Sequence, residues 1–134
     1  MGVGALASCF KENPNLRVIN LNDNTATQIG SEMIAKALAS LPKLEVLNLG
    51  DCLCRDQGCH AIVDALSPTV HTNLKELDIS GAELTGEAAK QIIEKWKKFA
   101  AKKTRLILTS NNFGKLFNQI KKSAGENVVV GDEE

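Results

Sequence analysis

The chain has no surplus of either charge: 16 Lys and Arg stand against 16 Asp and Glu in 134 residues. Proteins that hold nucleic acid by bulk charge carry a basic excess, so that class is not indicated. No apolar run approaches the ~18 residues needed to span a bilayer, and the N-terminus lacks the charged flank and cleavage site of a secretory signal. The four cysteines, Cys9, Cys52, Cys54 and Cys59, form no disulfide framework. Their C-x-C-x4-C spacing is not a usual zinc pattern even with His60 alongside, so they read as reduced thiols of a cytosolic or nuclear protein and no metal is expected. There is no G-x-x-x-x-G-K phosphate loop and no carboxylate pair with evident acid and base roles. His60 and His71 lie in non-equivalent positions with no Ser or Cys arranged as a nucleophile. No catalytic residue, no cofactor and no intrinsic enzyme activity are therefore expected.

What the chain does have is 43% hydrophobic residues, enough for a buried core, set in a recurring pattern. The pattern is plainest in LEVLNLGDCLCRDQG, Leu44 to Gly58, with apolar Leu44, Leu47 and Leu49, then Cys52, and a small residue at Gly58. It returns as Leu16, Ile19, Leu21 and Asn24, as Leu74, Leu77, Ile79 and Ala82, and as Lys103, Leu106, Leu108 and Asn111. The copies begin 28, 30 and 29 residues apart. This is the spacing of a leucine-rich repeat of the ribonuclease-inhibitor type. Each copy carries one short parallel strand, a turn at the ninth position and a full helix.

The expected fold is an α/β leucine-rich-repeat solenoid, a right-handed horseshoe fragment with parallel strands on the concave face and helices outside. One domain spans 1–127, with a partial repeat at 1–15, repeats at 16–43, 44–73 and 74–102, and a terminal repeat at 103–127. An acidic tail follows at 128–134, in which Val128 to Val130 either adds an edge strand or frays. Gly2, Val3, Leu6, Ala7 and Phe10 share one helical face and read as the helix of an earlier repeat whose strand is absent. The chain is accordingly expected to be cut from something longer. Asn24 is expected to act as a buried structural turn residue that bonds backbone groups of adjacent coils. Ser67-Pro68 should end the second full helix. In the third repeat Gly86 comes two residues early, Trp96 takes the place of Leu38 and Leu66, and Phe99 implies a longer helix. Lys95, Lys97, Lys98, Lys102 and Lys103 decorate its solvent side.

Function in such a fold rests on residues that point away from the core. These are Arg17, Asn20, Asn22, Glu45, Asn48, Lys75, Asp78 and Ser80 on the concave face, with Asp23 and Asp51 on the loops leaving the strands. The candidate partner-binding residues are Asn22, Asp23, Asn48 and Asp51. Asp23 and Asp51 lie 28 residues apart at equivalent places, so they fall one coil apart on one rim.

The words NPNLRVINLNDNT (Asn13 to Thr25), LEVLNLGDCLCRDQGCHAIVDAL (Leu44 to Leu66) and LKELDISGAEL (Leu74 to Leu84) resemble the last repeats of Ran GTPase-activating proteins. An acidic ending such as GDEE also fits that family, and the resemblance thins after Trp96. It implies a parent protein that stimulates GTP hydrolysis by the small GTPase Ran, keeping cytoplasmic Ran in its GDP form and giving nuclear transport its direction. It further implies a cytoplasmic location, at times at the nuclear envelope, and a mechanism that positions Ran's own glutamine without an arginine finger. The family's essential arginine lies in an early repeat, and Arg17, Arg55 and Arg105 do not match it. The partner expected on this basis is GTP-bound Ran, met through the concave face and rim loops. A generic interaction module of ribonuclease-inhibitor-like or actin-capping-like kind is the alternative. Self-association through the N-terminal face that exposes Val3, Leu6 and Phe10 is a further expectation.

Overall fold

The computed structural model describes residues 2–99 and 104–131. Nine to fourteen residues of helix alternate with strands of three: α1 (Val3–Lys11), β1 (Val18–Asn20), α2 (Thr27–Leu38), β2 (Val46–Asn48), α3 (Arg55–Ala65), β3 (Glu76–Asp78), α4 (Gly86–Phe99) and β4 (Arg105–Ile107). A single 3-10 turn at Gly114–Leu116, the short helix α5 (Phe117–Ser123) and β5 (Val128–Val129) complete the chain. The strands form one parallel sheet in sequence order, β1 to β5. Val18 pairs with Val46, Val46 with Glu76 and Glu76 with Arg105, so equivalent repeat positions stack without slip.

Alternation along each strand sends its middle residue inward and its flanking residues outward. Ile19, Leu47, Leu77 and Leu106 are thus buried in one column, and Leu49, Ile79 and Leu108 in the next. The helices close this core from one side of the sheet with Ile34 and Leu38, Ile62 and Val63, then Ile92, Ile93 and Trp96. Trp96 is buried in the place held by Leu38 and Leu66 and meets Phe99 with ring centroids 5.4 Å apart. α4 is the longest helix, at 14 residues, as Phe99 implied. α3 ends at Ala65 and Leu66 turns extended, two residues ahead of Pro68.

Close approach between coils depends on small residues at one helical position. A Cβ on Gly30 would lie 3.2 Å from Val3, and one on Gly58 would lie 3.0 Å from Ser31. In the third repeat Ala88 occupies that place and is buried, while Gly86 faces the last coil, where a Cβ would come within 2.9 Å of Leu116. α1 packs on α2 as the helix of one coil packs on the next.

One open choice is settled by the structure and one expectation is corrected. Val128–Val129 pairs with β4 and Val128 and Val130 are buried, so of the two readings of this stretch the edge strand holds. The acidic residues Asp132, Glu133 and Glu134 of the expected tail lie outside the described residues, as do Lys102 and Lys103. Asn24 is exposed rather than buried, and its side-chain amide donates only within its own coil, to the carbonyls of Leu21 and Asn22. The bridging role falls to the half-buried Asn111, whose amide reaches Ile79 O in the preceding coil while its Oδ1 accepts from the N–H groups of Ala82 and Leu84. Cys52 bridges two coils in the same way nearer the N-terminus, with Sγ 3.0 Å from Leu21 O.

Candidate functional site

The open face of the sheet, away from the helices, carries two differently built rims. At the C-terminal ends of the strands, Asn20, Asn48 and Asp78 each use a side-chain oxygen to accept the backbone N–H two residues on, at 3.0, 2.9 and 2.9 Å. These repeated Asx turns aim the chain out of the sheet. Asn48 is thereby committed to its own loop. Asn22, on the neighbouring column, lies with its Oδ1 against Gly50: a Cβ there would sit 2.7 Å from it and 3.0 Å from Ser80 Oγ. Asn22 and Asn48 thus converge on Gly50.

One residue further along, Asp23 and Asp51 both adopt left-handed backbone, with φ of 62° and 55°, and Gly81 and Ser110 repeat the conformation at 56° and 58°. Aspartate tolerates this region better than most residues. Their N–H groups extend the parallel ladder beyond the strands, Asp23 to Gly50 O at 2.9 Å and Asp51 to Ser80 O at 2.8 Å. Both side chains are exposed, and the Asp51 carboxylate lies over Gly81 of the next coil. The four predicted site residues therefore occupy one rim, with the two carboxylates on adjacent coils.

The N-terminal ends of the strands carry a feature that sequence reasoning missed. Glu45 is bonded on one side by Arg17 Nε at 2.6 Å and on the other by Lys75 Nζ at 2.8 Å, joining three coils. Those hydrogen bonds, from Lys75 and then Arg17, hold its carboxyl down to about 2. Glu76 and Arg105 repeat the pairing more loosely at 3.4 Å. The signal lay in one repeat position reading Arg, Glu, Lys in successive copies.

Elsewhere the ionisable groups serve the stack. His71 is buried and ties Leu38 O, 2.7 Å from its Nε2, to the Ser67 N–H, 2.9 Å from its Nδ1. Lys95 bonds Asp64 and the His60 ring, each at 2.8 Å, and Lys97 reaches Ser123 O at 2.5 Å. Cys52, Cys54 and Cys59 are buried free thiols and Cys9 is exposed. The hydrogen bond between Cys59 and Cys54, with burial, pushes the Cys59 thiol well above its ordinary value. Among the described residues no group of three or more His, Cys, Asp and Glu is placed to hold a metal, and no helix is long and apolar enough to cross a membrane.

A stack of strand, turn and helix with equivalent residues in register defines a leucine-rich-repeat solenoid, and the leucine-rich-repeat family model matches residues 70–92. The sequence is similar to Ran GTPase-activating protein 2 of Caenorhabditis elegans, 47% identical over 85 residues that make up 62% of this chain. The chain spans 9% of that relative's length. Among solved structures it is similar to actin-binding site 2 of leiomodin-1, with a TM-score of 0.71, 96% of this chain and 78% of that chain covered, and 17% identity, a likeness that shows the fold.

Proposed function

We propose that this chain is a C-terminal repeat segment of an activator of the GTPase Ran, contributing contact surface and no essential arginine of its own. The observation that carries the reading is the 47% identity to a Ran GTPase-activating protein, which far exceeds the 17% that a shared fold alone leaves with leiomodin-1. GTP-bound Ran is met by the open, concave face and by the rim of Asn22, Asp23, Asn48 and Asp51. The two aspartates supply fixed negative charge one coil apart, which speeds encounter with a basic surface at low salt. The parent protein works in the cytoplasm, at or near the nuclear envelope, and imaging of the tagged parent protein tests that placement.

Single-turnover GTP hydrolysis by Ran, with and without excess of this chain, is the deciding experiment, run beside binding to Ran loaded with a non-hydrolysable GTP analogue. Binding without acceleration is expected, and acceleration sinks the claim that the essential arginine lies elsewhere. Loss of both leaves the segment a spacer in the solenoid. Exchanging both Asp23 and Asp51 for Asn slows association about tenfold at low salt. An unchanged on-rate removes the aspartates from the contact.

Self-association through the N-terminal face is a second reading, resting on Val3, Leu6 and Phe10 of α1, which are half-buried rather than exposed as expected, with Val3 and Phe10 packed against the core. Size-exclusion elution that stays monomeric as concentration rises rules it out.

A further inference from the structure

The rim where the chain enters the strands encloses a groove of about 580 Å³ lined by Asn15, Arg17, Lys43, Glu45, Asn73 and Lys75. Asn15, Lys43 and Asn73 stand just before the first inward leucine of their repeats, and Arg17, Glu45 and Lys75 just after it. The groove is thus two rows of equivalent positions from three coils. Its three cations outnumber its one carboxylate, giving a net charge of +2 on a chain whose total is +0.

Glu45 is only 18% exposed, whereas the Arg17 and Lys75 side chains are each 71% exposed. It acts as a floor that holds two cations in place while their outer faces stay in water. Arg17 spends its Nε on Glu45 and keeps the rest of its planar donor fork. Lys43, on the middle coil, is exposed, and the amides of Asn15 and Asn73 flank the row with donors and acceptors suited to a peptide backbone.

We propose that this groove docks an acidic peptide segment of a protein partner, with Arg17, Lys43 and Lys75 receiving its carboxylates. Neighbouring strands lie ~4.8 Å apart, so the cations span ~10 Å, a reach comparable with the ~7 Å between alternate side chains of an extended peptide. Nucleic acid fits less well. No aromatic ring lines the groove for a base to stack on. A longer phosphate track would also run toward the acidic side chains of Asp23, Asp51 and Asp78 at the far ends of the same strands.

The test is fluorescence anisotropy of a labelled peptide of alternating Glu and Ser. Its Gln counterpart and a single-stranded oligonucleotide of equal length are run alongside, with inorganic phosphate as competitor. The Glu peptide is expected to bind, to weaken as salt rises, and to lose about fivefold in affinity with Lys43→Glu. Lys43 carries none of the Glu45 bonds, so thermal unfolding of that variant should match the parent chain. The proposal is overturned if the Gln peptide binds equally, if the oligonucleotide binds more tightly, or if millimolar phosphate displaces the peptide fully. Lys43→Glu without effect, or no Glu-peptide binding at low salt, overturns it as well. Ran is absent from this assay, so its result and that of the Ran reading are separately readable.

Discussion

Asn24 and Asn111 hold the same place in the repeat and have opposite surroundings. Asn111 sits between two coils and satisfies backbone groups of both, bonding Ile79 O and Leu108 O while accepting from Ala82 and Leu84. Asn24 is exposed and reaches only its own turn. The difference extends along the first full coil, where Leu16 and Leu21 are half-buried while their equivalents Leu44, Leu49, Leu74 and Ile79 are buried. A solenoid residue is worth what its neighbouring coil offers it, and the motif position alone does not set its energy.

The largest break in that comparison comes from truncating a covered and an uncovered apolar side chain. Ile120→Ala removes a fully buried side chain and should cost about 2–4 kcal/mol in urea unfolding. Ile29→Ala, at 66% exposure, should stay within about 0.5 kcal/mol. Equal costs would mean that something covers Ile29 in solution. The asparagine pair gives a smaller contrast: Asn111→Ala should cost about 2–3 kcal/mol by orphaning backbone groups of two coils, and Asn24→Ala under about 1 kcal/mol. If Asn24→Ala proves as damaging, something covers that turn.

These contrasts also mark how far the residues alone could lead. The columns through Ile19, Leu47 and Leu77, the helix faces and the place of Trp96 were all legible, because burial follows periodicity and each copy reports on the others. The rim of Asn22, Asp23, Asn48 and Asp51 was legible as a location. What those side chains do was not, since left-handed backbone at Asp23 and Asp51 and the Asx turn of Asn48 are set by the loop and not by a pattern. Asn24 was misjudged because burial of a turn residue depends on the coil beside it. The Arg17–Glu45–Lys75 bonds and the Lys43 groove were missed for a related reason. Arg17, Glu45 and Lys75 were legible as concave-face residues at one repeat position, but their pairing, and the place of Lys43 beside them, follow only from stacking in register.

The smallest effect tests the charged rim. Glu45 has its carboxyl lowered from 4.5 to about 2 by Lys75 and Arg17. A depressed carboxylate stabilises the fold above its unfolded value and loses that contribution as the pH falls through the folded one. The window here therefore runs from about 4.5 down to about 2. The parent chain should lose stability across it more steeply than Glu45→Gln, and added salt should narrow the gap because Arg17 and Lys75 are largely exposed. Thermal unfolding followed from neutral to acid pH reads this, and parallel curves for the two proteins would show that the three-coil bridge carries no net energy. The same substitution raises the groove's charge by one, so it should strengthen binding of the acidic peptide at neutral pH. Weaker binding would instead assign Glu45 the more important role of holding Arg17 and Lys75 in place.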